Sequence, residues 1–282
     1  MSLVNLAYWK TNQKLYIMKH FIYTIISICL FSSCAINKLT GKNQLSLVSD
    51  QEILHTSDSL YKDYLSKSKV LKNKGDINVE MVQRVGKKIV ASVNKFYSDK
   101  NMQSLLNDYR WEYYLVEDPE MNAWCMPGGK IVVYTGILPM IKSEAELAII
   151  MGHEVSHALL NHGKQRMSQA VLLNLGSLAL STAVENKSTK AKRNYELAYG
   201  IGTQIGLTLP FSRKHEFEAD KFGLIWAAMS GYDPNEAITL WERMNEENGG
   251  KVPEFFQTHP SELNRISALK NTMPEALKYY NK

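Results

Sequence analysis

The chain has 282 residues, 45% of them hydrophobic, and a formal net charge of +5, which suits one globular domain with a large core plus a leader. Residues 1–33 hold three lysines and no acidic residue, so the rest carries 30 basic against 28 acidic side chains. That near-balance, with no basic tract, argues against a nucleic-acid partner.

At the N-terminus, Met18-Lys19-His20 supplies a short basic start. Phe21 to Phe31 is an apolar run of signal-peptide length, too short for a comfortable membrane span. It ends in Phe31-Ser32-Ser33-Cys34, which resembles a bacterial lipobox with Phe in place of Leu. The expected organisation is an upstream extension over 1–17, a lipoprotein signal peptide over 18–33, lipid on Cys34, a polar, turn-rich tether over 34–48 and one folded domain over 49–282. An uncleaved anchor is the alternative use of the same run. Cys29 lies in the removable run, which leaves only Cys125 in the mature domain and no internal disulfide. Cys125 reads as a small buried residue beside Trp124.

Ser49-Asp50-Gln51-Glu52 marks a helix start, with a helix through about Ser66 and another from about Ile77 to Phe96. Tyr109 to Val116 is rich in aromatic residues and suggests a strand. Met121 to Gly129 is a short extended piece closing in a Pro-Gly-Gly turn, and Lys130 to Thr135 returns as a β-branched strand. An exposed edge on this hairpin can bind a peptide by strand addition, through backbone hydrogen bonds that ignore sequence. Asn122, Ala123 and Trp124 are the candidate substrate-binding residues on that edge.

Ser143-Glu144-Ala145-Glu146 is a capping box, and the helix it opens is expected to run to about His162, with Gly163 as its stop. His162 then reads as a helix-end residue favoured by the dipole. Within this helix stands His153-Glu154-Val155-Ser156-His157, the pattern H-E-x-x-H. Residues four apart lie on one helix face, so His153 and His157 can point two imidazoles at one ion, with Glu154 beside it. Two neutral imidazoles holding zinc, and a carboxylate placed to take a proton from water, are what a zinc hydrolase needs. Ile149, Ile150, Leu159 and Leu160 surround these polar groups, which would be costly to bury unpaired.

A third ligand is required. The metzincin extension would need Gly at 160 and His at 163, where this chain has Leu160 and Gly163. The second candidate is Ser212-Arg213-Lys214-His215-Glu216-Phe217-Glu218-Ala219-Asp220. Glu216 and Asp220 share a helix face. Glu216 can complete the ligand set, and Asp220 can accept the spare N–H of a metal-binding imidazole and fix its tautomer. Between the two motifs, Met167 to Val184 is an apolar stretch too polar and short for a span, read as a core or lid helix; 185–194 is a charged loop and 195–209 is expected to be helical. Pro234 to about Asn248 forms a helix ended by Gly249-Gly250, and Thr258-His259-Pro260 begins the last one, with Ser261 and Glu262 in its first turn. The fold class is α+β, mostly α-helical, with a small antiparallel sheet or hairpin beside the active-site helix.

With H-E-V-S-H (153–157), S-R-K-H-E-F-E-A-D (212–220), N-A-W-C-M-P-G-G (122–129), T-H-P (258–260) and T-G-K-N-Q-L-S-L-V (40–48), the chain resembles the M48 peptidases, gluzincin-type zinc metalloproteases, and is most similar to their soluble periplasmic branch. The matches cover nearly all of the chain after Cys34. The resemblance implies a zincin-like domain, one Zn2+ per chain, and an Asn122–Gly129 segment at the active-site cleft. It also implies that His259 approaches the metal, where as a fourth ligand it would close the site and gate it.

The implied function is a zinc endopeptidase acting on unfolded or misassembled cell-envelope proteins. It would be lipid-anchored at a bacterial membrane, facing the periplasm, in the outer membrane, with the outer-membrane assembly machinery as a partner. An envelope assembly or chaperone-like factor with gated or minor proteolysis is the alternative. A deformylase is a third reading, disfavoured by the Glu216/Asp220 pair and the leader. The oxyanion stabiliser is open among His215, Arg213 and His259.

Overall fold

The computed structural model describes residues 34–184, 211–246, 255, 259 and 263–280. The leader over 1–33, the charged loop and helix expected over 185–209, the Gly249-Gly250 stop and the first turn expected at Ser261-Glu262 lie outside the described residues. The chain divides into two units, Met1–Leu47 and Val48–Lys282.

In the first unit the residues expected as a tether form an antiparallel hairpin, β1 (Cys34–Ile36) paired with β2 (Asn43–Leu45). The Asn37 side-chain oxygen accepts the N–H groups of Leu39 (2.9 Å) and Thr40 (3.1 Å), and Gly41 takes φ +69°, so a polar, turn-rich sequence closes on itself. Cys34, the first residue of β1, is exposed with a free thiol.

In the second unit α1 (Asp50–Lys67) starts at Ser49, whose hydroxyl accepts the Glu52 N–H, and α2 (Ile77–Asp99) starts at Asp76, whose carboxylate accepts the N–H groups of Asn78 and Val79. Val82, Val85, Ile89, Val93 and Phe96 recur at helical spacing on α2 and all are buried. A four-stranded sheet packs beside these helices in the order β3 (Val70–Leu71), β4 (Glu112–Val116), β6 (Lys130–Tyr134), β5 (Ala123–Met126). The β5–β6 hairpin turns through Gly128 and Gly129, both at φ +85°. The sheet is mixed rather than purely antiparallel: β4 and β6 run parallel, because the chain leaves β4, forms the outer strand first and returns between the two. That path makes β5 the edge strand.

Helix α3 (Glu144–Leu159) lies against β5, and every residue from Ala145 to Leu159 is buried. The capping box forms: the Ser143 hydroxyl accepts the Glu146 N–H (3.2 Å), and the Glu146 carboxylate accepts the Lys142 N–H (2.7 Å). The helix stops earlier than the sequence suggests. Asn161 takes φ +58°, a left-handed conformation that Asn tolerates, and α4 (His162–Val184) begins immediately after it. Gly163 is therefore inside α4, and His162 opens that helix instead of ending α3. No described helix is long and apolar enough to cross a membrane. α5 (Arg213–Met229), capped by Ser212, α6 (Glu236–Glu246) and α7 (Leu263–Tyr280) complete the unit.

The closest helix pair is α3 with α5. A Cβ on Gly152 would lie 2.9 Å from the Gly223 carbonyl oxygen, and one on Gly223 would lie 2.9 Å from the His153 nitrogen. The two backbones touch there because neither residue has a side chain. Beside the crossing, Trp226 Nε1 donates to the Ser156 hydroxyl (3.0 Å), which donates to the Gly152 carbonyl (2.7 Å). Gly223→Ala should cost about 1–3 kcal/mol by overpacking, since backbone rather than a flexible side-chain end must move. A denaturant midpoint equal to wild type would show that the crossing relaxes freely.

Candidate metal centre

The α3–α5 crossing places the two motifs face to face. His153 and His157 come from α3, Glu216 and Asp220 from the first half of α5, and His259 from the segment before α7. His153, His157, Glu216 and His259 are all buried, and each offers one ligand atom within 4.8 Å of the others. The His153 and His157 Nε2 atoms are 3.0 Å apart. Glu216 oxygens lie 3.4 Å from each. His259 Nδ1 is 3.2 Å from His153 Nε2 and 3.2 Å from Glu216 Oε1. Around a tetrahedral zinc with N and O ligands, neighbouring ligand atoms stand ~3.3 Å apart. The observed spacings fit one such ion.

Charge supports the same fit. Glu154, Glu216 and Asp220 are three buried carboxylates, and Arg265 is the buried cation set against them. Buried charges need compensation, and a dication would supply what the guanidinium leaves. His153 reports this field: burial works against its imidazolium, yet hydrogen bonds to Asp220 and Glu216 outweigh that and hold it up at about 9. Burial pushes the Glu216 carboxyl up, but His259, His153 and Arg265 bring it well below the usual carboxylate range. His157, without a direct carboxylate hydrogen bond, is held well below the ordinary imidazole value by burial.

Asp220 lies 2.9 Å from His153 Nδ1, the contact expected of it. Its partner Arg265 was not singled out by sequence. Arg265 donates to Asp220 from Nε (2.7 Å) and Nη2 (2.8 Å), approaches Glu216 at 3.2 Å, and stacks its guanidinium 3.7 Å from the Trp241 ring. It sits in the first turn of α7, where a lone arginine carries no motif signal. His162, read from sequence as a helix-end residue, is fully buried with its ring against His157. His215 stacks on His162 at 4.2 Å and faces Gln165, and Arg213 is exposed, so neither is placed at the metal group.

Glu154 is buried, its Oε1 lacks a hydrogen-bond partner among the described residues, and burial raises its pKa. It lines a cleft of about 390 Å³ together with His157, His259, Phe211, Asn122 and the edge strand Ala123–Met126. Asn122, Ala123 and Trp124 thus share one cleft with the carboxylate. An acceptor aimed into a cleft beside a metal group is placed to take a proton from water.

Two outcomes test the centre. Adding zinc to chelated protein should raise its thermal midpoint by the amount set by RT ln(1 + [L]/Kd), and His153→Ala should abolish that rise. Arg265→Met should destabilise the metal-free protein by about 3–5 kcal/mol, because it takes the guanidinium away from two buried carboxylates, Asp220 and Glu216. A wild-type denaturant midpoint in Arg265→Met would contradict this reading of the ion pair.

Residues 80–273 match the family model of peptidase family M48. The chain is 37% identical over 197 residues to the mitochondrial metalloendopeptidase OMA1 of Schizosaccharomyces pombe, covering 69% of this chain and 53% of that one. It is 37% identical over 179 residues to the Arabidopsis thaliana protein of the same name, covering 63% and 35%. To a putative β-barrel assembly-enhancing protease of Vibrio cholerae it is 29% identical over 231 residues, covering 79% and 44%. The chain spans about half the length of the relatives it matches. These matches correct the expected localisation. A lipid-anchored position at the bacterial outer membrane is overturned, since relatives more similar than the bacterial one are named mitochondrial. The basic start, apolar run and cysteine describe how a segment can meet a membrane, not which membrane it meets. The chain belongs to peptidase family M48.

Proposed function

We propose that this protein is a zinc-dependent endopeptidase that hydrolyses peptide bonds in unfolded or misassembled proteins. The observation that carries the reading is the buried Glu154 carboxylate, whose Oε1 has no hydrogen bond among the described residues and lies 3.5 Å from His259 Nε2, in the cleft shared by His157, His259 and the β5 edge. His153, His157 and Glu216 would hold the ion, and Asp220 would keep the His153 proton on Nδ1. Bound zinc supplies Lewis acidity for the carbonyl under attack and for water. Glu154 takes the proton of the attacking water and delivers it to the leaving amine. Burial raises its pKa, which makes the carboxylate a stronger base toward that water.

The β5 edge orients the substrate. An extended chain adding beside Asn122, Ala123 and Trp124 would be held by main-chain hydrogen bonds, independent of sequence, as suits an enzyme that meets unfolded protein. His259 would supply a fourth ligand and so close the centre until substrate arrives. Its N–H donates to the Phe255 carbonyl (2.8 Å), and the Phe255 N–H donates to the Met121 carbonyl (3.3 Å), directly before the substrate edge. Strand addition at β5 would therefore disturb the segment that carries His259.

A second reading has its own support. Relatives from Vibrio cholerae and Yersinia pestis are named for enhancing β-barrel assembly. Under that reading the domain assists the assembly of membrane or envelope proteins, with proteolysis minor or gated. Degradation of an unfolded protein that is lost on chelation and restored by zinc supports the peptidase; an assembly effect that survives chelation supports the alternative. Glu154→Gln should keep zinc but lower turnover about a hundredfold to ten-thousandfold, and near-normal turnover would remove Glu154 from its role. His259→Ala should raise degradation of unfolded protein with zinc retained. Lost activity with zinc retained would instead make His259 a substrate or oxyanion group.

A further inference from the structure

His162 is fully buried at the start of α4 and is not among the four residues of the metal group. Its Nδ1 lies 2.9 Å from His157 Nδ1, and its Nε2 lies 3.3 Å from Glu218 Oε2. A neutral imidazole has one N–H and one lone pair, and an ionised carboxylate only accepts. The His162 proton therefore sits on Nε2, donated to Glu218, and its Nδ1 presents the lone pair. Two Nδ1 atoms in hydrogen-bond contact need one donor, so the His157 proton must sit on Nδ1. His157 Nε2 is then a lone pair, facing His153 Nε2 at 3.0 Å and Glu216 Oε1 at 3.4 Å.

We propose that Glu218 and His162 are positioning residues which fix the tautomer of His157 and so set the zinc affinity of the centre. The proposal rests on the metal-centre reading and deepens it. His153 Nδ1 has its carboxylate partner directly in Asp220, whereas His157 Nδ1 reaches one through a second imidazole. Ring stacking holds both imidazoles in orientation, with Phe211 on His157 at 3.9 Å and His215 on His162 at 4.2 Å. Glu218 is two positions from Glu216 on the same helix. It is half-buried and turned toward His162.

The test measures zinc dissociation constants by chelator competition on the purified full chain, with the thermal midpoint of each metal-free protein alongside. His162→Leu removes the acceptor and should weaken zinc binding about 10–100-fold with little change in the metal-free midpoint. His162→Asn keeps an acceptor oxygen near the former Nδ1 and should restore most of the affinity. Glu218→Ala should fall between wild type and His162→Leu. Wild-type affinity in His162→Leu would overturn the relay, as would a His162→Asn protein that binds no better than His162→Leu. If His162→Leu does not fold, wild-type affinity in Glu218→Ala overturns it. Failure of the wild-type chain to bind zinc at all would overturn the metal-centre reading itself, and the relay with it.

Discussion

The contact of two glycines, Gly152 on α3 and Gly223 on α5, is the constraint on which the centre depends. Side chains at either position would hold the helix axes apart. The ligand atoms come from opposite helices, His153 and His157 on one and Glu216 on the other, and they must meet within 3.0–3.4 Å. A separation larger by one methyl group would lose that spacing. The crossing also explains why α3 is buried along its whole length: it is enclosed by β5, α2, α5 and α6, so its polar residues find partners on those neighbours or face the cleft.

Burying this many ionisable groups opposes folding unless they compensate one another. The protein answers with hydrogen-bonded chains that run outward from each imidazole. One passes from His153 through Asp220 to Arg265, whose guanidinium lies on Trp241. The other passes from His157 through His162 to Glu218. Glu154 belongs to neither chain. Its Oε1 has no hydrogen bond among the described residues, with His259 Nε2 facing it at 3.5 Å, so this acceptor stays open to a substrate.

Much of this was legible in the sequence because the pattern and the geometry share a period. Four-residue spacing on a helix gives His153/His157 and Glu216/Asp220 their faces, and Ser143 and Ser212 mark where those helices begin. The Pro-Gly-Gly turn announced the β5–β6 hairpin. What sequence did not show depends on chain paths. The parallel β4–β6 ladder follows from which strand forms first, not from composition. Asn161 ended α3 two residues before the glycine that looked like the stop, and that displacement turned His162 inward. Arg265 lies 45 residues from Asp220, with no spacing to connect them. The leader misled about compartment because an apolar run with a basic start is common to several membranes.

The central claim is that His153, His157 and Glu216 hold one zinc ion beside Glu154. X-ray absorption at the zinc edge of the purified protein tests it most directly. The account predicts one zinc per chain in a shell of nitrogen and oxygen at ~2.0–2.1 Å, with imidazole scattering that diminishes in His157→Ala. A sulfur ligand at ~2.3 Å, which would bring Cys125 into the shell, or a spectrum unchanged by His157→Ala, would contradict it.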